Sequence, residues 1–266
     1  MIPEKKFIPE NNIYIYENFI TQQEAADLVE FYQTLTDDQW DMICFYQTFG
    51  TGLLKPYELD PTTKITGEWM NSLVERLYEA VQDAHGEEVK HNTIHAQKYE
   101  IGAVAHHHSD NSNIDGSPSG WMDNKYYAGL YLNDNYKGGI LNFRDTGLEL
   151  QVKPGTLVTF SGGVENIHGV SEILEGTRYV IMSFWDSKNK DYTEEEWEFR
   201  KNDIRKTRIL QFKEKEEWAK GNPLPEIENP YEEDPNLELD ELGRIVNYNE
   251  NGERIILDFY GKPINP

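Results

Sequence analysis

Between residues 93 and 185 the chain reads as a succession of short β-rich segments divided by turn residues, with no helical period among them. The candidate strands are 93–99, 104–108, 126–132, 140–144, 148–153, 157–161, 167–173 and 178–185. Segments rich in Val, Ile, Tyr, Phe and Thr and bounded by Gly, Asn, Asp and Pro are strand signals. About eight of them in a row suggest a double-sheet jelly roll. The expected fold class is therefore mainly β with flanking helices (α+β), around a jelly-roll core.

The flanks differ in texture. Ile13-Tyr14-Ile15-Tyr16 reads as a strand, and Thr21-Gln22-Gln23-Glu24 is a capping box that should start a helix. Ala25, Leu28, Phe31 and Leu35 give that helix an apolar stripe. Residues 37–61 carry aromatics without a sustained period and receive no assignment. A second helix is expected over 68–84, with Met70, Leu73, Val74, Leu77 and Val81 on one face and Gly86 as its stop. After the β-rich run, Thr193-Glu194-Glu195-Glu196 is another capping box. It opens a helix to about Lys206 that 214–220 can continue. Pro and acidic residues dominate 221–242, as in a linker or a loosely attached arm. Residues 244–257 read as a β-hairpin around Asn251-Gly252. A lone hairpin is marginal, so it is expected to dock on the core or on a second subunit. The expected organisation is 1–92 as a supporting N-terminal unit, 93–186 as the core, and 187–266 as an appendage.

Composition excludes several classes. A formal charge of −23 argues against binding a nucleic-acid backbone, which needs clustered Lys and Arg. A hydrophobic share of 38% with 12% aromatics is enough for a packed core. Cys44 is the one cysteine, so an internal disulfide is excluded and a reducing compartment fits. The N-terminus lacks an apolar signal region, and no run of about 18 apolar residues occurs. The expectation is a soluble cytoplasmic protein with no membrane partner.

The chemistry concentrates in His106-His107-His108-Ser109-Asp110. In an extended strand, residues two apart share a face. Of the three imidazoles only His108 has a carboxylate at that offset, Asp110, with Ser109 pointing away. His106 shares the face of His108 and is a possible neighbour of such a site; His107 should face the other way. His168 lies far downstream, and Arg178 follows it by ten residues. Two His and one carboxylate on one side of a metal leave coordination positions open, as in non-haem Fe(II) oxygenases. Taken singly, the His run also fits an exposed tract or adventitious metal binding, and Arg178 a surface charge.

In order, the chain carries Tyr99 and Gly102, His108 and Asp110, Tyr131-Leu132-Asn133, Gly138-Gly139, Pro154-Gly155, His168 and Arg178. This series resembles the prolyl 4-hydroxylase branch of the 2-oxoglutarate- and Fe(II)-dependent dioxygenases. Residues 13–35 look like the strand and helix that usually precede that family's core. The resemblance implies a double-stranded β-helix with its metal between the sheets. It implies Fe(II) held by His108, Asp110 and His168, with 2-oxoglutarate and O2 taking the open positions and ascorbate as a reductant. The distal carboxylate of the cosubstrate then needs a fixed cation, and a guanidinium binds a carboxylate as a fork. That role falls to Arg178, on the face of Val180, Met182 and Phe184. Tyr131 matches a tyrosine that hydrogen-bonds the same carboxylate in hypoxia-sensing members, and Leu141 would cover the cosubstrate. Tyr99 either touches ligand or packs.

The activity implied is hydroxylation of a substrate C–H, foremost in a peptidyl proline, with 2-oxoglutarate converted to succinate. A peptide or protein substrate would enter beside the loop 111–124, which reads either as a lid or as a disordered surface loop. Asp110 departs from halogenase relatives, which replace that carboxylate. No second Arg follows Arg178 as in nucleobase-demethylating relatives. Ala105 stands where relatives often carry a Tyr, and Phe184 where a Trp is common. Two alternatives stay open: the same chemistry on a free amino acid or other small molecule, and a non-enzymatic jelly roll with a structural metal.

Overall fold

The computed structural model describes residues 2–35, 41–45, 48–54, 67–219, 238–239, 245–248, 252 and 254–256. It begins with the antiparallel strands β1 (Lys5–Ile8) and β2 (Ile13–Tyr16). Helix α1 (Gln22–Thr34) follows, opened by the expected capping box: Glu24 N–H donates to Thr21 Oγ1, and Thr21 N–H donates back to Glu24 Oε2. The stretch without an assignment contains a hairpin of β3 (Asp41–Phe45) and β4 (Thr48–Leu54). Helix α2 (Gly67–His85) ends at Gly86, whose φ of +69° reverses the chain.

The two strands expected over 93–108 are one 20-residue strand, β5 (Val89–His108). Its first part pairs with the last core strand and its end pairs with a different layer, so β5 passes from one sheet to the other. Then come β6 (Tyr126–Tyr131), β7 (Lys137–Gly138), β8 (Leu141–Phe143), β9 (Glu149–Leu150) and β10 (Thr156–Ser161). The expected strand 167–173 is divided into β11 (His168–Val170) and β12 (Ile173–Glu175). β13 (Arg178–Ser187) closes the core, and α3 (Glu194–Ala219) runs as one helix across both stretches expected to be helical. At the end, β14 (Glu238–Leu239), β15 (Ile245–Tyr248) and β16 (Arg254–Ile256) form a small antiparallel sheet that includes the expected hairpin. Most of the acidic arm lies outside the described residues.

The strand order β1-β2-β10-β6-β13-β5-β11-β8-β9 describes a curled antiparallel sheet whose far end folds back over its middle. This is the expected jelly roll. Side-chain alternation gives its major layer two different faces. Tyr179, Ile181 and Trp185 of β13 pack with Leu28, Tyr32, Leu73 and Leu77 of the helices. Val180 and Phe184 face inward with Tyr99, Tyr131, Leu141, Phe143, Phe160 and Val170, in a second core between the layers. Among the described residues, no helix is long and apolar enough to cross a membrane.

Candidate active site

The metal-capable trio lies where β5 and β11 meet. His168 pairs with His108, but Val170 pairs with Ala105, so three steps along β5 oppose two along β11. The surplus residue makes a β-bulge, which bends a strand and re-aims its side chains. This corrects the simple alternation expected for the His run. His106 and His107 are both exposed, and it is Ala105 that joins the inner core. His106 is therefore no wall of the cavity, although its carbonyl has a use there. His107 points outward as expected, with its Nε2 2.6 Å from Asn142 Oδ1. Gly169 lets the bulge close: a Cβ there would lie 2.7 Å from the Ala105 carbonyl and 3.2 Å from the His107 ring.

His108, Asp110 and His168 each offer a ligand atom, all within 4.8 Å of one another. His108 Nε2 is 3.6 Å from Asp110 Oδ1, and His168 Nε2 is 3.8 Å from Asp110 Oδ2. Both rings are oriented alike. His108 Nδ1 lies 2.7 Å from the His106 carbonyl and His168 Nδ1 lies 2.8 Å from the Asn166 carbonyl. A carbonyl only accepts, so each Nδ1 carries the proton and each Nε2 offers its lone pair toward Asp110. Burial pushes the His168 imidazole down to about 4, which keeps it in the neutral form a metal requires. Burial acts the same way on His108, but the neighbouring Asp110 carboxylate outweighs it and the shift is upward. Asp110 Oδ2 is buried without a hydrogen-bond partner among the described residues. Phe160, Phe143 and Tyr127 surround the His168 ring at 4.8, 5.9 and 6.1 Å.

Further into the same core lies Arg178, 2% exposed. Its guanidinium sits 4.8 Å over the Tyr99 ring and 4.9 Å over that of Tyr131. Among the described residues its Nε and Nη1 have no hydrogen-bond partner, and neither does the Tyr131 hydroxyl. A buried guanidinium keeps its charge, so unused donors of this kind are costly unless an anion meets them. Three orphaned groups, Asp110 Oδ2 at one end and Arg178 with Tyr131 at the other, fit a metal and the carboxylate of a bound organic acid. Leu141 is buried in the same core, on a strand paired with β11.

Sequence reasoning missed two tyrosines. Tyr136 joins the inner core, and an added Cβ on its neighbour Gly139 would lie 2.8 Å from the Tyr136 ring and 3.1 Å from Arg178 Cδ. Tyr127 is fully inside, and its hydroxyl folds along its own strand into the space left by Gly129. Burial raises its pKa well above the ordinary value, so it is a neutral hydrogen-bonding group. The signal was available: counting back by twos from Tyr131 reaches Gly129 and then Tyr127, on one face.

With this geometry in hand, comparisons with known proteins bear on the chemistry. Residues 94–186 match the 2OG-Fe(II) oxygenase superfamily. This region is similar to 2-oxoglutarate- and Fe(II)-dependent oxygenase domains. Mouse (Mus musculus) prolyl 3-hydroxylase 3 is 35% identical over 102 residues, which is 34% of this chain and 14% of that protein. Chicken (Gallus gallus) prolyl 3-hydroxylase 1 is 33% identical over 84 residues, covering 30% of this chain and 11% of the relative. The chain thus spans about a seventh of the curated relatives' length or less. Among solved structures, a Pseudomonas putida prolyl-4-hydroxylase superposes with a TM-score of 0.51 at 17% identity, covering 67% of this chain and 94% of its own. A Trichoplax adhaerens prolyl hydroxylase, solved with a hypoxia-inducible-factor peptide fragment, gives a TM-score of 0.51 at 17% identity, covering 71% and 86%. These likenesses show the jelly-roll fold.

Proposed function

We propose that this chain is a 2-oxoglutarate- and Fe(II)-dependent dioxygenase that hydroxylates prolyl residues in a peptide or protein. The observation that carries the reading is the pairing, in one water-poor core, of the His108-Asp110-His168 trio with the unpartnered donors of Arg178 and Tyr131. When bound, Fe(II) with 2-oxoglutarate and O2 supplies oxidation of a substrate C–H to C–OH, yielding succinate and CO2. His108 and His168 present Nε2, and Asp110 its carboxylate, to the metal. Arg178 holds the distal carboxylate of 2-oxoglutarate, with Tyr131 donating to the same group and Tyr99 supporting the guanidinium from its ring face. Leu141, Phe143 and Phe160 keep water from the reacting atoms. Ascorbate, as a reductant, belongs to the same proposal.

The peptide reading rests on relatives named as prolyl hydroxylases and on a neighbour of the same fold solved with a peptide. The test compares a library of proline peptides with free proline, under iron, 2-oxoglutarate and ascorbate. Peptide-dependent succinate release with a hydroxyl mass increment on proline is expected, and amino-acid analysis then identifies the 3- or 4-isomer. Free proline turned over as well as any peptide would move the assignment to a small-molecule oxygenase. Absence of iron- and 2-oxoglutarate-dependent succinate would reduce it to a non-enzymatic jelly roll.

A further inference from the structure

Loop 111–124 begins one residue after Asp110, and its two ends are cinched at a single point. Asp110 N–H and Asn111 N–H both donate to the Gly162 carbonyl, at 2.8 and 3.1 Å, and Gly162 N–H donates to Lys125 O at 2.8 Å. Ser109 Oγ adds a third donor to the same carbonyl, at 2.8 Å. A loop with a narrow neck and a packed interior is a compact Ω-type loop. Its tip turns back on itself, with Asn113 N–H bonded to Ser117 O, and at Gly116 it reaches the Val164 side chain just before His168. The loop that leaves Asp110 thus meets the turn that leads into His168, and the two expose Ile114 and Val164.

The far side of the loop is gripped by α3. Gly120 N–H donates to Asp203 Oδ2 at 2.5 Å. Arg200 closes on Asp123 through two nitrogens, with distances of 2.8 and 3.1 Å to Oδ2. Tyr192, just ahead of the helix, donates to the Met122 carbonyl at 3.4 Å. The contact leaves no slack: a Cβ on Gly120 would stand 2.9 Å from Ile204 N and from its Cγ1. Asp123 is nine-tenths buried, so its pairing with Arg200 is shielded from solvent in a way surface pairs are not. Every one of these helix residues lies beyond the region matched to the oxygenase superfamily, which ends at 186.

We propose that α3 is a positioning element of the active site, in which Arg200 and Asp203 lock loop 111–124 as the wall against which the substrate docks. The idea rests on the oxygenase reading of the trio. The neck at Gly162 holds Asp110 independently of the helix. Releasing the clamp therefore frees the loop's outer wall while leaving the metal ligands in place. The catalytic unit accordingly extends through Ile204, and the C-terminal helix sets substrate affinity without touching the metal or the cosubstrate.

The test uses the full chain and reaches the contact from both sides, with Gly120→Ala on the loop and Arg200→Ala and Asp203→Ala on the helix. In each, amides 120–124 should exchange about ten-fold faster, while those of β6 and β10 keep their protection. KM for a proline peptide should rise about ten-fold, with kcat and the KM for 2-oxoglutarate nearly unchanged. Arg200→Lys should recover part of both effects. Unchanged loop exchange, or equal loss of protection in β6, overturns the clamp. Faster loop exchange with an unaltered peptide KM overturns its role in docking. If the wild-type chain hydroxylates no proline peptide, the proposed function has failed on its own account. The clamp is then judged by exchange, together with whether the variants leave substrate-free succinate formation as in the wild type.

Discussion

The two faces of the major sheet are built from the same strands and do opposite things. Toward the helices, polar groups on β13 and β6 are closed on themselves. Trp185 Nε1 donates to Ser183 Oγ, and Ser183 Oγ donates to the Ala128 carbonyl. Toward the second layer, one residue along, Arg178 and Tyr131 bury donors that no other described residue uses. On the helix-facing side the polar side chains of β13 and β6 satisfy one another, whereas the inner side holds donors placed to meet a ligand. Alternation along one strand thus separates stability from function at the level of single residues.

The largest effect that would break this contrast belongs to the metal trio. Replacing His108, Asp110 or His168 by Ala should each abolish Fe(II) binding and turnover with the fold intact, read by metal titration and circular dichroism. A variant keeping most of its activity would strike that residue from the set. Next comes a mirrored pair. Trp185→Ala, on the helix-facing side, should cost about 3–5 kcal/mol in denaturant unfolding and leave 2-oxoglutarate affinity of the folded protein unchanged. Arg178→Leu should do the reverse. It should lose about 2–5 kcal/mol of 2-oxoglutarate binding. Because it removes a buried charge with unused donors, it should not lower the melting temperature of the ligand-free protein. Arg178→Lys should keep part of the binding. If Arg178→Leu unfolds the chain, the inner side is as structural as the outer.

The smallest effect concerns His85, at the end of α2. Its ring stacks on Tyr126 at 3.9 Å, and its Nε2 lies 3.0 Å from Thr159 Oγ1. Burial lowers its pKa from 6.5 to about 4. The unfolded chain therefore binds more protons than the folded one between those values. Stability is full above pH 6.5 and falls as pH drops toward about 4. His168 contributes with the same sign. Urea midpoints measured above and within that window should show the decline, and His85→Phe, which keeps the stack, should flatten part of it.

Much of this was legible because it depends on periods and caps. The period of α2, the Thr21 box and the common face of Arg178, Val180 and Phe184 follow from local geometry alone. The His108-Asp110 pair could also be read, because Asp110 stands at a unique offset. The bulge could not. Whether alternation continues through His106 and His107 is decided by Gly169 on a strand about 60 residues away, where the absence of a side chain makes room. The β3–β4 hairpin escaped for a related reason: its pairing with β5 is a tertiary event with little sequence period behind it. The grip of α3 on loop 111–124 was equally hidden, since Gly120 and Asp203 carry no pattern linking them.

The passage of β5 from one sheet to the other has a consequence for folding time. Its early residues meet β13, and its last meet β11, so the metal-capable residues at 108 and 168 become neighbours only when the second layer shuts over the first. Pairings so distant along the chain form late, because loop closure must be met before any contact rewards it. A half-folded chain with its helix-side core already formed offers no place to chelate iron. Iron uptake during refolding would then act as a clock for the last closure, running behind any signal from Trp185.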